Sequence, residues 1–562
     1  MSRSLLWRSA LIFLIWVLLN SIVCAEAHSA SNKLRNWFRA RRGGHFQVLD
    51  PKAFRKLLGD DWKWAASTIP FFESEDQDIT AAYYFRWSVY RKHIQVHPEV
   101  GHIITEFLPD VNWAGPYNTI VAAAGHHIYE GRWLRDSAIL DDYSRFWLWP
   151  WARTREYTAW LGDAMLARAQ VLGGLHLLRE LLPGLVKNFR AWQASSWVKD
   201  AGCFWSGDTQ DGGEDSISGN GCRVSINAIM YGELSAIARM QELLGMHAES
   251  AGNLKEAAQL RDSALKLLWN PDIQFLGTYK AQPPSTRGPT NSRCAGAPEW
   301  PEGEVVPVRE SMALSTPYFF NMVPANASHL HAMWNQVWDK DGFAAKWGPR
   351  TAERRSPHYN FTCDHPCTWN GPSWPFETSK LIAALANVLN YFPEQVNVSS
   401  RQWYELMAQY ARAHTRSHPV QPSDVSGKAV PPHPWISEDI HPDMGYWVAR
   451  DYMLRHGEAD WRRGYSYLHS TFCDLVITGL VGLRPRADDL LVVSPLVPDD
   501  IGWFALDSLL YHGFNLAIVW DRTGERYGRG SGLSVWADGR LLARSLKMQR
   551  LEVHLTDRTE LS

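Results

Sequence analysis

Residues Thr158–Trp192 read TAWLGDAMLARAQVLGGLHLLRELLPGLVKNFRAW, and apolar side chains recur there at spacings of three and four: Leu161, Met165, Leu166, Ala169, Leu172, Leu175 and Leu178. A helix turns once per 3.6 residues, so this spacing gathers them on one face and predicts a long amphipathic helix. Pro183 has no backbone N–H and is expected to break the run, with another helix after it. The same period returns on both sides: upstream over Ala81–Val96, downstream over Ser225–Gly245 and over Asn253–Trp269, where Asn270-Pro271 stops it. Further helices are predicted over Phe376–Leu389, with Pro375 near the first helical position, and over Arg401–Thr415, Tyr446–Arg455 and His469–Leu483. From Leu490 the period falls to two, with short strands at Leu491–Val493, Leu516–Trp520, Leu533–Trp536 and Leu551–His554, and turns at Thr523-Gly524 and Asp538-Gly539. Helices and loops in steady alternation close most naturally into a toroid whose loops collect at one end. The prediction is a mainly α fold carrying a small β domain at its C-terminus.

The chain has 562 residues, 45% hydrophobic and 21% charged, which is globular composition with ample core. A net charge of −2 supplies no basic field, so nucleic acid and anionic membrane surfaces are poor partners. The 29 tryptophans suit carbohydrate, because planar aromatics cover the apolar faces of sugar rings as readily as they fill cores.

Arg3 and Arg8 precede the apolar run Ala10–Val23, and Ala25-Glu26-Ala27 forms a small-x-small cleavage site. Residues 1–27 therefore read as a secretory signal peptide, a signal anchor being the competing reading. The domain boundaries expected are 28–485 for the toroid and 486–562 for the β domain, with secretion and no membrane association after cleavage. Losing Cys24 leaves Cys203, Cys222, Cys294, Cys363, Cys367 and Cys473. An even count on an oxidising route suits disulfides, and proximity favours Cys203 with Cys222 and Cys363 with Cys367. The spacings match no zinc finger or ribbon, so no metal or other cofactor is expected. Asn326, Asn360 and Asn397 open glycosylation sequons.

Between the helices lie three loops rich in chemistry. Cys203–Cys222 carries Asp208, Asp211, Glu214 and Asp215 around Gly212-Gly213, with Trp205 beside them; it reads as a polar pocket or as a solvated turn. Cys367–Pro375 reads Cys-Thr-Trp-Asn-Gly-Pro-Ser-Trp-Pro, and Ser437–Gly445 contains Glu438-Asp439-Ile440-His441-Pro442. Upstream, Glu130-Gly131-Arg132-Trp133-Leu134-Arg135-Asp136 crowds four charges around one tryptophan.

These motifs resemble glycoside hydrolase family 63. Trp369-Asn370-Gly371-Pro372-Ser373-Trp374 is similar to that family's Trp-x-Gly-Pro-x-Trp. Glu438-x-x-His-Pro-x-x-Gly445 looks like its Glu-x-x-x-Pro-x-x-Gly, whose glutamate is the general base. Gly212–Ser216 looks like its Gly-Met-Asp-x-Ser loop, whose carboxylate is the general acid. Nearly all of the mature chain resembles, more closely, bacterial and fungal glycosidase-like proteins related to mannosylglycerate hydrolase, which share Glu130–Asp136 and Ser216–Gly219. The resemblance implies an (α/α)6 toroid, the six-hairpin glycosidase fold, and inverting hydrolysis of an α-glycoside. Two departures are visible: Glu214 stands where the family has Asp, and Asp215 where it has an aromatic.

Acetal hydrolysis needs one carboxylic acid to protonate the leaving oxygen and one carboxylate to activate water, set roughly 6.5 to 9.5 Å apart in an inverting enzyme. Glu214 is the expected acid and Glu438 the base, with Asp215 the alternative acid. The expected substrate contacts are Arg132, Trp133, Asp136, Asp215, Trp369, Asn370, Trp374 and His441, where charged and amide groups would fix hydroxyls and indoles would cover ring faces. Three other classes stay open. A polysaccharide lyase would rely on Tyr, His and Arg, a noncatalytic carbohydrate-binding protein would release no sugar, and a phosphorylase would need an anion site.

Overall fold

The computed structural model describes residues 46–286, 294, 296–363, 365, 367–414, 434–457, 463–464 and 466–556. The expected signal peptide lies outside them. Residues Val48–Ser562 form one compact unit.

Twelve of the described helices build the toroid: α1 Gln77–His93, α2 Ala124–Gly131, α3 Ser137–Phe146, α4 Leu161–Leu172, α5 His176–Ser196, α6 Val224–Leu243, α7 His247–Leu267, α8 Ser311–Phe319, α9 Ser328–His331, α10 Pro375–Tyr391, α11 Ser400–Ala413 and α12 Cys473–Leu475, which continues as wider turns through Val476–Leu480. The even-numbered helices pack on one another in chain order and α12 returns to α2, while the odd-numbered ones lie outside them and α11 closes on α1. This is the (α/α)6 toroid of the six-hairpin glycosidases. The two rings bury different faces. In α8, residues Ser311–Tyr318 are all buried, as an inner helix enclosed on every side requires, whereas α7 buries only Ser250, Asn253, Ala257, Leu260 and Ala264.

Local signals place the ends. Asp76 caps α1 by accepting from Asp78 N and Ile79 N, a capping box of Ser399 and Gln402 starts α11, and Pro375 opens α10. The break expected at Pro183 falls elsewhere: Gly173 ends α4 in the left-handed region, and Pro183 lies inside α5. A proline in a helix interior costs about 3 kcal/mol. Yet α5 buries Leu177, Leu178, Leu181, Leu182 and Leu185 along one face, each worth about 1.5 to 3 kcal/mol, so packing outweighs the lost bond. The helix expected over His469–Leu483 is shorter, because residues 469–472 stay in the loop, α12 begins at Cys473 and its wider turns end at Leu480.

Eight of the described strands build two sheets: β1 Phe71–Ser74, β2 Leu483–Arg484, β3 Leu490–Val493, β4 Trp503–Tyr511, β5 Phe514–Asp521, β6 Gly532–Ala537, β7 Arg540–Ser545 and β8 Leu551–His554. An antiparallel sheet in the order β1-β4-β5-β6-β7 lies beside a smaller one in the order β8-β3-β2. The segment before the toroid thus joins the C-terminal sheet, Phe71 pairing with Asp507 and Ser74 with Phe504. Among the described residues no helix is long and apolar enough to cross a membrane.

Candidate active site

The inner helices start at one end of the toroid, and the loops entering α2, α4, α6, α10 and α12 enclose a cavity of about 470 Å³ there. Its walls bring together Glu214 and Glu438, the two glutamates singled out in the sequence, with Trp369 and Trp374.

The Cys203–Cys222 loop is held from inside. The expected disulfide joins its ends. Arg223, buried at the start of α6, donates through Nη1 to Asp208 (2.8 Å) and through Nε to Asp211 (2.5 Å), and caps the Gly219 carbonyl. Ser216 donates to Asp208, and Ser218 donates to Glu310 through both N and Oγ. Asp215 is fully buried and accepts from His365 Nε2 at 2.6 Å. Three of the loop's four acids are thereby engaged in the scaffold, and Glu214 is the one that lines the cavity. Close packing explains the glycines: a Cβ on Gly213 would lie 2.6 Å from Met312 Sδ, and Gly212 takes φ +65°.

The opposite wall is the Glu438 loop. Ile440 exchanges two backbone bonds with Ser373, joining this loop to the tryptophan segment, and Trp369 N donates to the Glu214 carbonyl at 3.0 Å. The three motifs are thus one hydrogen-bonded assembly. Gly445, at φ +81°, lies against Trp347, whose ring a Cβ would meet at 2.4 Å. Glu438 is buried, with Arg463 Nε 3.4 Å from Oε1. Trp369 and Trp374 stack at 4.7 Å between ring centroids, 16° from parallel, with Phe376 edge-on to Trp369.

Six expected contacts are not brought to this cavity. Arg132 and Trp133 lie past the C-terminal end of α2, where Arg132 Nε (2.8 Å) and Trp133 Nε1 (2.7 Å) both donate to Asp474. Glu130 accepts from the backbone N–H groups of Phe472, Cys473 and Asp474, capping α12, and exposed Asp136 caps α3 by accepting from Ala138 N. The charged heptad is a helix-end clamp. Asp215 is turned into the scaffold of its own loop, where it accepts from His365. Asn370 is buried and donates to the Phe361 carbonyl, and His441 Nδ1 accepts from Asp443 N and Met444 N within its own turn. Trp133→Phe is accordingly expected to cost about 1 to 3 kcal/mol, from the lost bond to a carboxylate and the volume removed. Thermal denaturation and kinetics check it: the melting temperature should fall while KM stays unchanged, and a raised KM at unchanged stability would return Trp133 to the substrate.

The second cysteine pair also differs from expectation. Cys294 bonds Cys363, and Cys367 and Cys473 are free among the described residues. Cys363 is taken by Cys294, and Cys367 instead lines the cavity, where its thiol lies 3.7 Å from Glu214 Oε2.

Residues 116–470 match the family model of the mannosylglycerate hydrolase MGH1-like glycoside hydrolase domain. The chain belongs to this family. Residues 483–543 match the C-terminal domain of glycosyl hydrolase family 65. A solved structure described as a sialidase is 31% identical with a TM-score of 0.77; the match covers 94% of this chain and spans 45% of the length of that protein. The glycoside hydrolase family 63 mannosylglycerate hydrolase of Thermus thermophilus, in complex with glucose, is 11% identical at TM-score 0.48, over 70% of this chain and 99% of that one. The Streptomyces avermitilis α-L-rhamnosidase with L-rhamnose is 12% identical at TM-score 0.49, over 87% and 41%.

The chain therefore carries a glycoside hydrolase domain of the MGH1-like family. Its cavity also holds residues that sequence reading missed: Glu106, Trp113, Tyr157, Arg463, Tyr467 and His469. Burial, with Glu438 and Glu214 nearby, pushes the Glu106 carboxyl up to about 8 despite the bond from Tyr467. Burial likewise holds Asp439 well above its ordinary range, with Glu438 adding to it. Burial raises the Tyr157 phenol well above its ordinary range, with Glu214 adding to it.

Proposed function

We propose that the protein is a secreted, inverting glycoside hydrolase acting on an α-linked glycoside or oligosaccharide, with Glu214 as general acid and Glu438 as general base. One observation carries the reading: two glutamates from distant loops line one cavity, beside a stacked tryptophan pair that can cover a sugar ring.

The surroundings divide the labour between them. Burial raises the Glu106 and Asp439 carboxyls, with Glu438 adding to both, while Glu438 itself lies 3.4 Å from the Arg463 guanidinium. An ionised carboxylate is what a base needs to take a proton from water. Glu214 has the Cys367 thiol 3.7 Å from its Oε2, and as the acid it must hold its proton until the glycosidic oxygen leaves. With water attacking from the side opposite the leaving group, the anomeric carbon inverts in a single displacement.

A panel of α-linked glucosides, mannosides and other oligosaccharides tests the class. Free reducing sugar released without inorganic phosphate is expected. Sugar phosphate formed only with phosphate, an unsaturated product, or binding without release would favour the phosphorylase, the lyase or the noncatalytic protein respectively.

Secretion is supported by the Arg-flanked apolar run at the N-terminus, by the two disulfides, and by the exposure of Asn326, Asn360 and Asn397. Nonreduced peptide mapping of protein from the culture medium should give a start near Glu26 or His28, Cys203 linked to Cys222, Cys294 linked to Cys363, and Cys367 as a thiol. An intact Met1 in that material contradicts cleavage. Free thiols at Cys203 and Cys222 would leave the acidic loop without the roughly 3 kcal/mol that closing it contributes.

A further inference from the structure

The cavity has a third buried carboxyl to which neither carboxylate role of the reaction is given. Glu106 sits in the loop before α2, 4% exposed, and lines the cavity with Glu214 and Glu438. Its Oε1 accepts from Tyr467 Oη at 2.6 Å, and its Oε2 is buried without a hydrogen-bond partner. A buried carboxyl oxygen left unpaired is destabilising, so a site that keeps one is built for something that pairs with it.

We propose that Glu106 is a specificity-determining residue that bonds one hydroxyl of the bound sugar through Oε2, and that the cavity selects an uncharged glycosyl unit over one bearing a carboxylate. The inference rests on the glycoside-binding reading of this cavity and names its substrate class. Two features of the walls support it. The described residues lining the cavity carry four carboxyls, Glu106, Glu156, Glu214 and Glu438, and one permanent cation, Arg463, which is held by Glu438. Among the described lining residues, the one guanidinium that could receive an anionic sugar is already engaged by Glu438. Glu106 is itself neutral near pH 7, because burial above all raises it to about 8, so it offers an O–H as well as an acceptor. Tyr467, which also lines the cavity, holds its orientation. A site that bonds a particular hydroxyl discriminates strongly against the analogue lacking it, since its own buried group is then left unpaired.

The test is binding, read by tryptophan fluorescence, so that it does not depend on turnover. The probes are free glucose, mannose and galactose, their uronic acids, and their single deoxy analogues. At least one neutral hexose should bind wild-type protein ten-fold or more tighter than its uronic acid, and one deoxy position should cost ten-fold or more. Glu106→Met, which keeps volume without a polar atom, should weaken the neutral hexose about ten-fold and abolish the penalty at that position. Glu106→Gln keeps a donor and an acceptor and should stay within about three-fold of wild type. Uronic acids binding as tightly as neutral sugars, no hexose binding at all, or an unchanged deoxy pattern in Glu106→Met would overturn the proposal. If Glu106→Met does not fold, the wild-type and Gln arms still decide it, because an unchanged deoxy penalty in a Gln variant that had lost affinity contradicts a hydroxyl contact. Binding in the predicted pattern without hydrolysis would sink the catalytic reading and leave this one standing.

Discussion

Glu438→Gln and Glu214→Gln are each expected to lower kcat by about 10²- to 10⁴-fold or more while leaving the melting temperature close to wild type, since Gln keeps the volume and removes proton transfer. The two variants should then part. A glycoside whose leaving group needs no protonation should restore much of the Glu214→Gln rate, because the acid's work is already done. It should leave Glu438→Gln slow, for no group remains to deprotonate water. Equal rescue of both, or of neither, contradicts the division of roles. The comparison also separates Glu214 from its neighbour: Asp215→Asn should act through the His365 contact on loop stability and show no dependence on the leaving group.

Arg223→Met is expected to cost about 3 to 5 kcal/mol, because it leaves Asp208 and Asp211 buried without their shared cation. The loop it anchors carries Glu214, so activity should fall with stability. Thermal or denaturant unfolding measures the first and kcat the second. Adding Asp208→Asn and Asp211→Asn to Arg223→Met should restore much of the loss, since the penalty comes from uncompensated charge. An unchanged melting temperature in Arg223→Met would show that the loop is held by its disulfide and packing instead.

Reading the sequence went furthest where one physical signal dominates. The period of 3.6 placed α6 within about two residues of its ends, expected over Ser225–Gly245 and found over Val224–Leu243. It failed for α2, eight residues long and buried on nearly every side, because a short enclosed helix has no polar face to set a period. Pro183 misled because the propensity penalty was weighed without the leucine face that outweighs it. Strand β4 escaped notice since a bulge between Leu506 and Leu509 breaks its alternation, and β1 since its partner lies more than 400 residues away.

The site was legible in part for a similar reason. Glu214, Glu438, Trp369 and Trp374 sit in motifs whose glycines and prolines mark loops, and those loops do meet. The heptad Glu130–Asp136 has the same look of charge around an indole, yet its charges close helix ends and grip the C-terminal sheet, with Arg135 donating to Asn515. Residue types alone do not distinguish a helix-end clamp from a sugar clamp; the end of the toroid on which they fall does. Glu106 carried no motif at all, and only burial beside two other carboxyls reveals it.

The central claim is single displacement by Glu214 and Glu438, and proton NMR of the wild-type reaction in its first minutes tests it most directly. The account predicts that the sugar first appears with the anomeric configuration opposite to that of the substrate, before mutarotation mixes the two forms. First release with retained configuration would contradict it, since that outcome needs a covalent intermediate and carboxyls only about 5 to 5.5 Å apart.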